Sequence, residues 1–306
     1  MFRPSVIASL GFAAAAAAAV LAFSLDSDEP ADLPPPQVAG GPVQAGLRAE
    51  SGRPVVEVVR VGDGGDAMIA GRAAPKAEIA LFADDRELGR VVADARGEWV
   101  FVPSLPFGAG AWRLTLKGEG GDGDVPVVLV VPEAGQGGAF AFTSAPGQAS
   151  KMLLAPSDGE AGSTLAITLV DHDRDGHLFV SGRAESGATI QIYLDNRFVG
   201  RARADAAGNW LVAARVPGRG THALRADRID ARGKVLLRAE REWRSGDDLV
   251  ASAPVLAVKE ADDGWRVVSR GDGGGLAYAT VYPAGHGQLR DPERTYPGQV
   301  VSGKAP

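Results

Sequence analysis

The chain has 306 residues and a mass of 31.5 kDa, enough for about two or three domains with cores of their own. A formal net charge of -6 and a pI of about 5.3 exclude a broad cationic surface for nucleic-acid backbones, and the absence of cysteine excludes disulfides, thiolate metal sites and thiol nucleophiles. With 41 Gly and 20 Pro against 10 Phe and 4 Tyr, the composition predicts many turns and short strands rather than long helices.

The first element is apolar. Ser5 to Leu25 carries no charge and is dominated by Ala13 to Ala19, Val20, Leu21 and Phe23. As a helix rising about 1.5 Å per residue, it spans a hydrocarbon core of about 30 Å. Arg3 precedes it and Asp26, Asp28 and Glu29 follow, which predicts a cytoplasmic N-terminus and export of what lies behind. The length of the run favours an uncleaved transmembrane anchor over residues 1–25 rather than cleavage at Ala22-Phe23-Ser24. Residues 26–53 contain Pro30, Pro34-Pro35-Pro36, Gly40-Gly41 and Pro42 with almost nothing large and apolar, and read as a semi-rigid spacer.

The middle of the chain is a repeat. At an offset of 111 residues, the distance from Gly71 to Gly182, Gly71-Arg72-Ala73 aligns with Gly182-Arg183-Ala184 and Gly89 with Gly200. Ala93-Asp94-Ala95-Arg96-Gly97-Glu98-Trp99 aligns with Ala204-Asp205-Ala206-Ala207-Gly208-Asn209-Trp210 at the same offset. Two copies of one module are implied. In the first, short runs bounded by Gly, Pro and Asp predict strands over 55–61, 67–71, 78–83, 87–93, 98–102 and 112–117. In the second, strands are predicted over 165–170, 178–182, 189–194, 197–204, 210–214 and 222–229. Asp84-Asp85 and Asp195-Asn196 suit tight hairpins, and Trp99 and Trp210 are expected in the cores. Six or seven strands per copy predict antiparallel sandwiches that hold without a cysteine pair.

The Gly-Arg-Ala-Glu-Ser-Gly-Ala turn at 182–188 and the Asp-x-x-Gly-x-Trp turns resemble those of bacterial immunoglobulin-like modules of cell-envelope proteins. The resemblance covers about residues 54–132 and 161–244, and the first copy departs from it at Pro75 and Lys76. Between the copies, residues 133–160 read as a linker whose apolar runs, Ala139 to Thr143 and Met152 to Leu154, can lend an edge strand to either neighbour.

Residues 255–306 include Gln288-Leu289-Arg290-Asp291-Pro292 and Tyr296-Pro297-Gly298-Gln299-Val300. This string resembles the second half of a LysM domain, a βααβ module that binds N-acetylglucosamine-containing glycans such as peptidoglycan. Trp265 to Ser269 and Gly271-Asp272 match its opening strand and turn, but too few residues follow for a first helix. Pro283, Gly285 and Gly287 interrupt the second, so the segment is degenerate. The resemblance implies glycan contacts at Trp265, Asp272, Tyr278, Tyr282, Asp291, Tyr296, Gly298 and Gln299.

Signals for chemistry are few. Asp171-His172-Asp173-Arg174-Asp175-Gly176 fits the start of a calcium loop, but Gly182 stands where the closing Glu belongs, and a polar hairpin turn is the preferred reading. His172, His177, His222 and His286 show no metal spacing, and no nucleophile elbow or phosphate loop occurs. No enzyme activity, cofactor or metal is expected. The fold class expected is mainly β: tandem immunoglobulin-like sandwiches after a transmembrane helix, then a small degenerate LysM-like segment. The expected location is the bacterial inner membrane, single-pass, with the bulk of the chain in the periplasm. The expected function is non-covalent contact with peptidoglycan, the alternative being a scaffold that binds another envelope protein.

Overall fold

The computed structural model describes residues 52–123, 125–134, 137–156, 165–215, 218–246, 256–261, 263–271, 274–283 and 288–290. The expected anchor and most of the spacer lie outside them. Among the described residues there is no helix, and none long and apolar enough to cross a membrane. The fold is mainly β.

The first copy supplies β1 (Val55–Val61), β2 (Ala67–Arg72), β3 (Glu78–Ala83), β4 (Arg86–Val92), β5 (Glu98–Phe101) and β6 (Gly110–Gly118). Next come β7 (Gly121–Asp122), β8 (Val127–Val131), β9 (Phe140–Thr143) and β10 (Met152–Leu154). The second copy supplies β11 (Leu165–Asp173), β12 (His177–Ala184), β13 (Thr189–Leu194), β14 (Arg197–Arg203), β15 (Asn209–Arg215), β16 (Gly220–Ile229) and β17 (Val235–Ser245). It is followed by β18 (Leu256–Ala261), β19 (Gly264–Arg270), β20 (Leu276–Val281) and β21 (Gln288–Arg290). All pairings are antiparallel, and they form four sheets: β1-β2-β5; β10-β9-β8-β6-β3-β4 with β7 beside β6; β15-β12-β11-β20-β19-β18; and β14-β13-β16-β17-β21.

The aligned motifs of the repeat turn out to be partners in space. Gly71 pairs across strands with Trp99, and Gly182 with Trp210. A Cβ at Gly182 would collide with the Trp210 ring and the Ala166 carbonyl, and one at Gly71 with the Trp99 ring and the Val55 carbonyl. Glycine is therefore what allows each indole to lie flat on the neighbouring strand. The Asp-x-x-Gly turn is held by its own carboxylate: Asp94 accepts from the N–H groups of Arg96 and Glu98, and Asp205 from those of Ala207 and Asn209. Its glycine carbonyl then accepts from Ala73 or Ala184 at 2.9 and 2.8 Å, closing the Gly-Arg-Ala segment onto the turn.

Three apolar layers separate the four sheets. Val59, Ile69, Trp99 and Phe101 of the first sheet meet Ile79, Leu81, Leu116 and Leu129 of the second. Leu165, Leu178, Val180 and Trp210 of the third meet Ile190, Ile192, Leu224 and Trp243 of the fourth. The middle layer joins the copies: Val128, Val130, Phe140 and Phe142 of the second sheet pack with Leu169, Val267, Ala279 and Val281 of the third. Along β8 and β9 successive side chains alternate between the first and middle layers, so both faces of these strands are dry. The bulge between Ile167 and Leu169 rephases β11, sending Leu169 into the middle layer while Leu165, Ile167 and Val170 stay in the last.

The linker lends β9 and β10 to the sheet of the first copy, and their outward residues form the contact with the second. The segment expected as a small degenerate LysM-like unit instead extends the third sheet through β18, β19 and β20, with β20 paired to β11. The sequence Leu276–Val281 is buried at every position, and burial on both faces fits a central strand better than a one-sided helix.

Candidate functional site

At one end of the second sandwich, the β11–β12 turn, the approach to β16 and the end of β17 enclose a cleft of about 320 Å³ lined in part by His172, Arg174, Arg219, Ser245, Gly246 and Tyr278. That is at the low end of ligand-sized cavities. His172 stacks on Tyr278 at 4.8 Å, and Trp243 meets His172 edge-on at 5.2 Å.

Ser245 also belongs to a constellation that no local motif announces. Asp195 Oδ2 lies 2.7 Å from His222 Nδ1, and His222 Nε2 lies 3.1 Å from Ser245 Oγ. This is the order of a serine-hydrolase triad, in which Nε2 must take the hydroxyl proton. Here Nε2 also faces the Gly218 carbonyl at 3.1 Å, and the Ser245 hydroxyl donates to that same carbonyl at 2.6 Å. The hydroxyl proton is thus directed at a backbone carbonyl rather than held for the imidazole. The three residues act as a clamp tying the β13–β14 turn to β16 and the end of β17. The His222 hydrogen bond, with one from the Ala223 N–H, holds the Asp195 carboxyl below its ordinary range.

The Asp171–Gly176 string lies at the β11–β12 hairpin. Asp173 accepts from the His177 N–H at 3.0 Å and contacts its Nδ1 at 2.7 Å, and Asp173, Asp175 and His177 offer atoms within 4.8 Å of one another. Asp171 is not among them: its carboxylate accepts from the Ser150 N–H at 3.0 Å in the contact between the copies. The alternating carboxylates therefore do not converge as a calcium loop requires. Burial pushes the Asp171 carboxyl up to about 7.

Of the residues assigned to glycan contact, Asp272, Asp291, Tyr296, Gly298 and Gln299 lie outside the described residues. The other three are structural. Trp265 meets Phe140 at 5.6 Å in the middle layer. Tyr278 is 5% exposed, and Tyr282 is 1% exposed in the last layer, its hydroxyl donating to the Glu242 carbonyl at 3.1 Å and its ring under the Arg241 guanidinium. Tyr282 is enclosed in the core, Trp265 is partly buried against the middle layer, and Tyr278 lines the cleft beside His172.

No family model matches the chain, and no curated protein matches it. Among solved structures it is similar to the fibronectin(III)-like modules of Clostridium thermocellum CbhA, at 9% sequence identity and a TM-score of 0.21, the match covering 66% of this chain and 98% of that one.

Proposed function

We propose that this chain is a non-enzymatic scaffold of the bacterial cell envelope, anchored in the inner membrane by its N-terminal apolar segment, whose two-sandwich body holds another envelope protein at a fixed place in the periplasm. The observation that carries the reading is the middle apolar layer. It turns two modules into one body with four stacked sheets, leaving sheet edges and two outer faces as its surfaces. A tether for glycan needs an open aromatic platform, whereas Tyr278 and Tyr282 are buried and Trp265 packs, partly buried, against the middle layer. Proteins that bind proteins through sheet edges need rigid, preorganised strands, which such stacking supplies.

Cosedimentation of the full chain in detergent micelles with purified peptidoglycan tests this directly. The protein is expected to stay in the supernatant while an intact LysM protein pellets. Pelleting of the chain would overturn the scaffold reading in favour of glycan contact.

A further inference from the structure

The edge strand β14 and its counterpart β4 occupy the same place in the two copies, with the same register. Arg90 lies opposite Ala80 and Glu87 opposite Phe82 in the first copy; Arg201 lies opposite Gln191 and Phe198 opposite Tyr193 in the second. Both strands end their sheets, with no further strand paired on the outer side among the described residues. What differs is the charge around the shared arginine. Arg90 is neutralised, bonded to Glu78 at 2.7 Å and to Glu87 at 2.9 Å. At the equivalent positions the second copy has Thr189 and Phe198, and Val92 is replaced by Arg203.

Both acidic partners have thus been exchanged while the cation was kept and a second one added. Among the described residues Arg197 and Arg201 make no ion pair, and Arg203 bonds only to the Gly187 carbonyl, at 3.1 Å. Phe198 is 40% exposed beside them, its ring edge-on to Tyr193 at 5.7 Å, and Arg225 lies over the Tyr193 ring at 4.1 Å. In a chain of net charge -6, this is a local positive strip and not part of a general cationic surface. Charge alone on a terminal strand serves to prevent edge-to-edge aggregation. An exposed phenyl ring works against that purpose, and a second copy pairing β14 on β14 would set arginine against arginine.

We infer that β14 is the docking edge for an acidic extended segment of another protein, which adds to the fourth sheet as a further strand. Its main chain would pair with the side of β14 that carries no strand partner. Carboxylates two residues apart would stand opposite Arg201 and Arg203, which share the outer face, and a large apolar side chain would cover Phe198. This deepens the scaffold reading and rests on it, naming the edge and the chemistry of the partner.

The test uses the full chain in micelles and a fluorescein-labelled peptide with Glu at alternate positions, Thr between them and Phe at one end. The peptide is expected to bind, more weakly as salt rises. The double variant Thr189→Glu with Phe198→Glu rebuilds around Arg201 the ion pairs that Arg90 has, and is expected to weaken binding by about tenfold or more with the unfolding midpoint retained. Arg90→Ala is expected to leave binding unchanged. Unchanged affinity in the double variant, or equal binding of a peptide of the same composition with its Glu residues contiguous, would overturn strand addition at β14. Such a failure leaves peptidoglycan cosedimentation negative, whereas failure of the scaffold reading itself appears as pelleting.

Discussion

Val58 and Leu169 hold the same place in the two copies of the repeat, yet Val58 is 38% exposed and Leu169 is 1% exposed. Two positions on, Arg60 is exposed while Asp171 is buried against the Ser150 backbone. A duplicated sandwich gives each copy the same two outward faces, and joining the copies consumes one face of each: the second sheet's and the third sheet's. The two faces left over are not counterparts in the repeat, one being the first sheet's and the other the fourth's. The first sheet shows Val58, Val100 and Val102, and the fourth shows the arginines and aromatic rings around β14. The cores of the two copies stay alike while their exteriors differ.

The strongest way to break that arrangement is to empty the middle layer. Phe140 is fully buried, stacks with Phe142 at 6.4 Å and touches Trp265. Phe140→Ala is expected to cost about 3–5 kcal/mol. Because the layer belongs to both copies, scanning calorimetry should show one transition for the parent protein and two for the variant. A single transition retained at an unchanged midpoint would mean that the copies are stable separately.

The buried carboxyl at the same contact sharpens the comparison through pH. The folded chain binds the Asp171 proton with an affinity near pH 7, against 3.8 for the free side chain, so folding is favoured by the protonated form. That contribution is complete at low pH and is lost as pH rises from about 4 to about 7. Asp171→Asn keeps the shape without the ionisation. It is expected to raise stability at pH 8 by on the order of 3 kcal/mol and to flatten the loss between pH 4 and 7 in denaturant titrations. Arg60→Gln, at the exposed counterpart, should do neither.

Much of the sandwich architecture was legible because its signals are local. The Asp-x-x-Gly-x-Trp turns, the Asp195-Asn196 hairpin with φ of 50° and 64°, and the alternation of β13 are each set by neighbouring residues. What escaped is non-local. Phe140 and Phe142 look like part of a linker, and only the arrival of Leu169 and Val281 from the other copy makes them core. Tyr278 reads as an aromatic of a glycan site until β20 is seen to pair with β11. The Asp195, His222 and Ser245 clamp has no motif because its members come from different strands and turns. The exchange of Glu78 and Glu87 for Thr189 and Phe198, by contrast, stands in the aligned sequence, but it acquires meaning only when register places each pair around its own arginine, Arg90 in the first copy and Arg201 in the second.

The smallest effect examines what the copies still share. If the glycine beneath each tryptophan is kept for the same steric reason, Gly71→Ala and Gly182→Ala should be equally damaging, whatever the fate of the exteriors. In each case the added methyl meets a carbonyl of the neighbouring strand, Val55 or Ala166, as well as the indole. Neither obstacle is the free end of a flexible chain, so relief requires the strands to separate or the indole to tilt. Overpacking of this kind costs about 1–3 kcal/mol. Trp99 and Trp210, at 2% and 3% exposure, report the tilt by their fluorescence. Matched losses in the two variants, each with a red shift of its own tryptophan, are the expected outcome in urea titrations followed by emission. A loss at Gly182 alone would mean that the first copy, with its uncovered first sheet, has room to adjust, and that the cores have begun to diverge as the surfaces did.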